Sequence, residues 1–124
     1  MANILVSRRS SEERRKNHIV AINKQIQQYI KNGSEGDLRL SYTPITSLPD
    51  NLTIVNGDLY LANTTITSLP DNLTVNGSLR MIDTLITSLP KGLIVTGVIY
   101  IENTPISENP KLVKEYKKKY KIVI

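Results

Sequence analysis

Residues 57–76 read GDLYLANTTITSLPDNLTVN, and the chain repeats this phrase on both sides. Before it stands GDLRLSYTPITSLPDNLTIVN (36–56); after it come GSLRMIDTLITSLPKGLIVT (77–96) and GVIYIENTPISENP (97–110). The leading glycines are 21, 20 and 20 residues apart, with one extra residue near Ile54-Val55. The shared pattern is G-x-φ-x-φ-x-x-T-x-I-x-x-L-P-x-x-L, where φ is aliphatic. A period of this length is the mark of a solenoid, whose units bury their apolar faces only against one another.

Each column of the repeat carries a physical instruction. Leu38-x-Leu40, Leu59-x-Leu61, Leu79-x-Met81 and Ile99-x-Ile101 alternate like short strands with one face inward. Stacked units lay these strands side by side in a parallel sheet. Ile45, Ile66, Ile86 and Ile106 form a second inward column; Leu48, Leu69 and Leu89 a third; Leu52, Leu73 and Leu93 a fourth. Thr43, Thr64, Thr84 and Thr104 recur just after the strand, where a hydroxyl satisfies corner main-chain groups that a ladder leaves unpaired. Pro49, Pro70 and Pro90 end the extended run where no ladder partner is needed. Asn56-Gly57 and Asn76-Gly77 also suit a hairpin turn, which an antiparallel meander would use. Translational repetition, and Thr96-Gly97 standing in for Asn-Gly without breaking the frame, favour the solenoid.

The L-x-L-x-x-[N/T]-x-[L/I]-x-x-L-P core of residues 36–110 resembles the leucine-rich repeat in its short, 20-residue bacterial form. It is more similar still to T-x-I-T-S-L-P-D-N-L arrays in bacteriophage proteins. Here threonine stands where most such repeats carry asparagine, and the array has only four units. The resemblance implies a binding scaffold that meets proteins through its strand face, and it carries no catalytic residues across. It also implies an accessory role of phage type, such as inhibition of a host defence complex.

Composition narrows the chemistry. The 124 residues include no cysteine, phenylalanine or tryptophan and a single histidine, His18. Disulfides, thiol catalysis and thiolate metal sites are excluded, while the redox compartment stays open. One histidine gives neither a multi-histidine metal site nor a Ser-His-Asp triad. We expect no enzyme, no cofactor and no metal. Ile4-Leu5-Val6 is too short for a signal-peptide core, and no stretch nears the ~18 apolar residues of a membrane span. A soluble, cytoplasmic protein without membrane contact is expected.

The net charge of +5 conceals a division into three segments. Residues 1–35 carry +4, the repeats at 36–110 carry −4, and residues 111–124 carry +5. The first segment is expected to form an amphipathic capping helix over 10–32. Ser10 and Glu13 make a capping box, Gly33 a left-handed stop, and Ile19, Ile22, Ile26, Tyr29 and Ile30 one apolar face. In the last segment Asn109 caps and Pro110 begins a helix with Leu112, Val113, Tyr116 and Tyr120 on one face. Lys121-Ile122-Val123-Ile124 follows as a strand or packed tail. The expected fold is thus α/β: a short leucine-rich-repeat-like parallel β solenoid of about four coils, capped by a helix at each end.

Two surfaces are candidates for function. Outward strand positions stack Arg39, Tyr60, Arg80 and Tyr100 in one column, flanked by Asp37, Asp58, Ser78, Val98 and by Ser41, Ala62, Ile82, Glu102. Arginine and tyrosine anchor protein interfaces. They also stack on each other and stabilise an exposed sheet. The second candidate is basic: Arg8, Arg9, Arg14, Arg15 and Lys16 at one end, Lys117, Lys118, Lys119 and Lys121 at the other, a patch suited to phosphate. A protein partner is the leading expectation and a nucleic acid the alternative; the oligomeric state stays open.

Overall fold

The computed structural model describes residues 11–124. The elements are helix α1 (Ser11–Lys31), strands β1 (Leu38–Arg39), β2 (Ile54–Val55), β3 (Leu59–Tyr60), β4 (Thr74–Val75), β5 (Leu79–Arg80), β6 (Ile94–Val95) and β7 (Val98–Tyr100), helix α2 (Pro110–Lys117) and strand β8 (Lys121–Val123). Strands β1, β3, β5, β7 and β8 form one parallel sheet in that order, and β2, β4 and β6 form a second. The chain winds as a β solenoid.

Like residues lie over like. Leu38 pairs with Leu59, Leu59 with Leu79, and Leu79 with Ile99. All four are buried, as are the whole isoleucine column and both leucine columns. At roughly 1.5–3 kcal/mol for each fully buried aliphatic side chain, these columns supply the driving force without a large aromatic residue. The second sheet, with Val55 over Val75 over Val95, does not follow from the repeat pattern. Its strands are no shorter than β1, β3 and β5, but the extra residue of the first coil sets Val55 one position out of step with Val75 and Val95 when each is counted from its leading glycine, and the other column mixes Ile54, Thr74 and Ile94. Register also locates the extra residue of the first coil. Leu38 to Leu59 spans 21 positions but Ile54 to Thr74 spans 20, with the columns at Leu52 and Leu73 still in step. The insertion therefore lies between Leu52 and Ile54.

The Asn-Gly pairs make no hairpins. Among the described residues the glycines with positive φ are Gly33 and Gly36, so Gly57 and Gly77 do not adopt a left-handed turn. They are glycines because coils touch there. A Cβ on Gly77 would stand 2.5 Å from the Gly57 carbonyl oxygen, and one on Gly57 would stand 2.5 Å from the Gly36 carbonyl carbon.

A helix packs at each end of the stack. Ile22 and Ile26 of α1 enter the core, with Tyr29 and Ile30 packed against it. Gly33, at φ +95°, stops the helix: its N–H donates to the Ile30 carbonyl at 3.1 Å and the Ser34 N–H to the Tyr29 carbonyl at 2.9 Å. The capping box at Ser10 lies outside the described residues. The Tyr29 hydroxyl lies 2.8 Å from the Ser34 and Gly36 carbonyl oxygens, and burial raises its pKa, so it stays a donor at neutral pH. Gln27 and Asn51 exchange amide hydrogen bonds of 2.8 and 3.1 Å, tying helix to first coil.

At the other end Asn109 accepts from the Leu112 N–H at 3.2 Å, and Pro110 opens α2. The helix buries Val113. The Tyr116 hydroxyl accepts the Leu89 N–H at 3.0 Å. Tyr120 belongs to the turn beyond α2, not to the helix face; its hydroxyl donates to the Leu93 carbonyl at 2.6 Å. The terminal apolar run pairs with β7 in parallel as a fifth strand, Ile99 opposite Ile122.

Candidate interaction face

Alternation places one residue of each strand outward, and register aligns those residues. Arg39 lies beside Tyr60, Tyr60 beside Arg80, and Arg80 beside Tyr100. The structure thus brings together all four residues of the expected column. The guanidinium carbon of Arg39 is 4.7 Å from the Tyr60 ring centre; that of Arg80 is 5.4 Å from Tyr60 and 4.6 Å from Tyr100. Cations and rings alternate, each arginine facing π density. Arg80 Nε is shielded from solvent and makes no hydrogen bond, so ring faces hold this guanidinium in place of a carboxylate. Arg39 also pairs with Asp37 at 3.4 Å, an exposed contact of slight energetic weight.

The flanking row serves the main chain. Oδ1 of Asp37 accepts the Asp58 N–H at 2.8 Å, Oδ1 of Asp58 accepts the Ser78 N–H at 2.7 Å, and Oγ of Ser78 accepts the Val98 N–H at 3.2 Å. On the other flank, Ser41 Oγ accepts the Ala62 N–H at 3.1 Å. These side chains clip each coil to the next. The threonine column acts equally locally. Thr43, Thr64, Thr84 and Thr104 each donate to the carbonyl three residues earlier, at 2.7–2.9 Å.

A further row is not apparent from the repeat pattern. Tyr42, Asn63, Asp83 and Asn103 all adopt a left-handed backbone, with φ from 55° to 60°, at the corner where the strand face ends. Asparagine and aspartate tolerate that region; tyrosine does so poorly. Asn103 Nδ2 donates to Asp83 Oδ1, closing part of the row. Tyr42 is 78% exposed, so packing does not offset its backbone cost. A signal does exist in the sequence: an Asn or Asp precedes the threonine in three units, and the first breaks the rule.

The basic residues do not converge. Arg8 and Arg9 lie outside the described residues. Arg14, Arg15 and Lys16 stand exposed on the first turns of α1, at the first coil's end; Lys117, Lys118, Lys119 and Lys121 surround α2 and β8, at the last. The stack of coils separates the two clusters. Lys119 is partly engaged, its Nζ donating to the Lys91 carbonyl at 2.9 Å and lying 5.3 Å from the Tyr120 ring centre. His18 is exposed on α1. Among the described residues, no three His, Cys, Asp or Glu side chains gather where they could hold a metal ion, and no helix is long and apolar enough to cross a membrane. No family model, curated protein or solved structure matches the chain.

Proposed function

We propose that this chain is a non-catalytic scaffold that binds another protein through the outer face of its five-stranded sheet. One observation carries the reading: Arg39, Tyr60, Arg80 and Tyr100 stand in register as a cation–ring stack along an open face. Arginine and tyrosine dominate the binding energy of protein interfaces, and side chains already ordered by stacking lose less entropy on docking. Tyr42 extends this face, exposed and held in a conformation its backbone resists.

The resemblance to bacteriophage repeat arrays supports a narrower role, an accessory protein that inhibits a host defence complex. A nucleic-acid role, through basic termini acting together, has less in its favour: the two clusters lie at opposite ends of a coil stack whose sequence carries −4.

Affinity purification of the tagged protein from its native host, with and without nuclease, tests the reading. A protein retained after nuclease and lost with Arg39→Glu/Arg80→Glu supports it. Material that disappears with nuclease replaces it with the nucleic-acid reading.

A further inference from the structure

The C-terminal end of the large sheet is a strand edge set in a basic frame. Strand β8 has a single neighbour, β7, among the described residues. The Ile101 N–H donates to the Val123 carbonyl at 3.0 Å, which turns Val123 toward β7. In a parallel ladder alternate residues turn to opposite sides. The main-chain N–H and C=O of Ile122, and the N–H of Ile124, therefore point away from the sheet, toward the next strand position.

The surroundings of that edge have a definite chemistry. A shallow groove at the end of β8 is lined by Ser107, Pro110, Val113, Lys114, Lys117 and Ile124. Its floor is apolar and its rim is cationic. Val123 is 42% and Ile124 54% exposed, and Lys121 is exposed beside them. Residues 111–124 hold six lysines against Glu115 alone.

We infer that this edge accepts, by strand addition, an extended acidic segment of another protein carrying apolar residues at alternate positions. Main-chain pairing would use the outward groups of Ile122 and Ile124. Because side chains alternate along a strand, every second residue would enter the groove beside Val113 and Ile124, and the rest would face Lys121 and Val123. The acidic side chains would lie on the Lys121 side, and the field of Lys114 and Lys117 at the groove rim would add to their attraction. A second copy of this chain is a poor occupant, since pairing β8 with β8 would bring two such lysine clusters together; lysine on an edge discourages self-association. A nucleic acid would use the lysines but neither the apolar floor nor the outward main-chain groups. The inference stands apart from the Arg–Tyr face, which lies on the front of the sheet and not at its edge.

The test uses the full chain and a capped peptide of about nine residues alternating glutamate and valine. We expect saturable binding at low salt, with hydrogen exchange at the Ile122 and Ile124 amides slowed at least tenfold in the complex. Lys114→Glu/Lys117→Glu should weaken binding roughly tenfold or more with the unfolding midpoint nearly unchanged. Ile124→Pro, which deletes one outward donor at an exposed position, should weaken it as well. The inference is overturned by absence of binding, or by binding without added protection at Ile122, which would be charge attraction alone. It is equally overturned if a single-stranded DNA of similar charge binds more tightly, or if the same protection arises from concentration-dependent dimerisation without peptide.

Discussion

The guanidinium carbon of Arg80 stands 4.6 Å from the ring centre of Tyr100 on the neighbouring strand, and the same cation faces Tyr60 on the other side at 5.4 Å. The outer face is therefore ordered by contacts that lie outside the core. Such contacts contribute about 0.5–1 kcal/mol each at exposed sites. The interior works on a larger scale.

That contrast gives the first prediction. Leu69→Ala opens a cavity beneath a buried column and should lower stability by about 2–5 kcal/mol. Tyr60→Ala should cost much less. Chemical denaturation of the two variants checks this, and equal shifts in midpoint would contradict the assignment of inside and outside.

Gly77→Ala probes how closely the coils approach. The added methyl would stand 2.5 Å from both the Asp58 carboxylate oxygen and the Gly57 carbonyl oxygen, so coils two and three must separate locally. A loss of roughly 2 kcal/mol or more is expected, within the range of mutations that force strain into packed main chain. An Asn-Gly hairpin would instead respond through its positive φ, which Gly77 does not have.

Tyr42→Asn should stabilise the protein. The change installs at φ +60° the residue type that Asn63 and Asn103 place at the same corner in later coils, and it removes a ring that is largely in solvent. A gain of about 0.5–1 kcal/mol is expected, a few degrees in Tm. The same variant should bind the captured partner less well. Greater stability with weaker binding identifies Tyr42 as kept for the interface; unchanged binding confines its role to a strained corner.

Asp58→Ala removes the acceptor for the Ser78 N–H, a charge-assisted hydrogen bond of 2.7 Å between coils. We expect a loss of roughly 1–3 kcal/mol. Asp58→Asn retains a side-chain oxygen at that position and should cost distinctly less, as thermal unfolding at neutral pH will show.

Much of this architecture is legible in the sequence because a translational repeat converts sequence columns into spatial ones. Leu59 over Leu79, Thr84 at its corner and Arg39 beside Tyr60 all follow from counting twenty or twenty-one residues. The second sheet is hidden because the extra residue of the first coil sets Val55 out of step with Val75 and Val95, and because its other column mixes Ile54, Thr74 and Ile94. The left-handed corner is hidden by Tyr42, which breaks an Asn/Asp column at its first member. Pairing of β8 with β7 is beyond reach for another reason: Lys121-Ile122-Val123 lies outside the repeat frame, and only the turn after α2 brings it alongside Val98–Tyr100. Charge sums along the chain likewise leave open whether the basic ends meet. The coil stack holds them apart.

The central claim is that the Arg–Tyr row is the surface that engages a protein partner. Its most direct test is the affinity of Arg39→Glu/Arg80→Glu for the protein captured by the wild type, measured beside the unfolding midpoint of both. We predict that binding weakens by roughly thirtyfold or more, as expected for interface hot spots, with a stability change of no more than about 1–2 kcal/mol. Wild-type affinity in a folded double variant would contradict the claim and place the interface on another surface of the molecule.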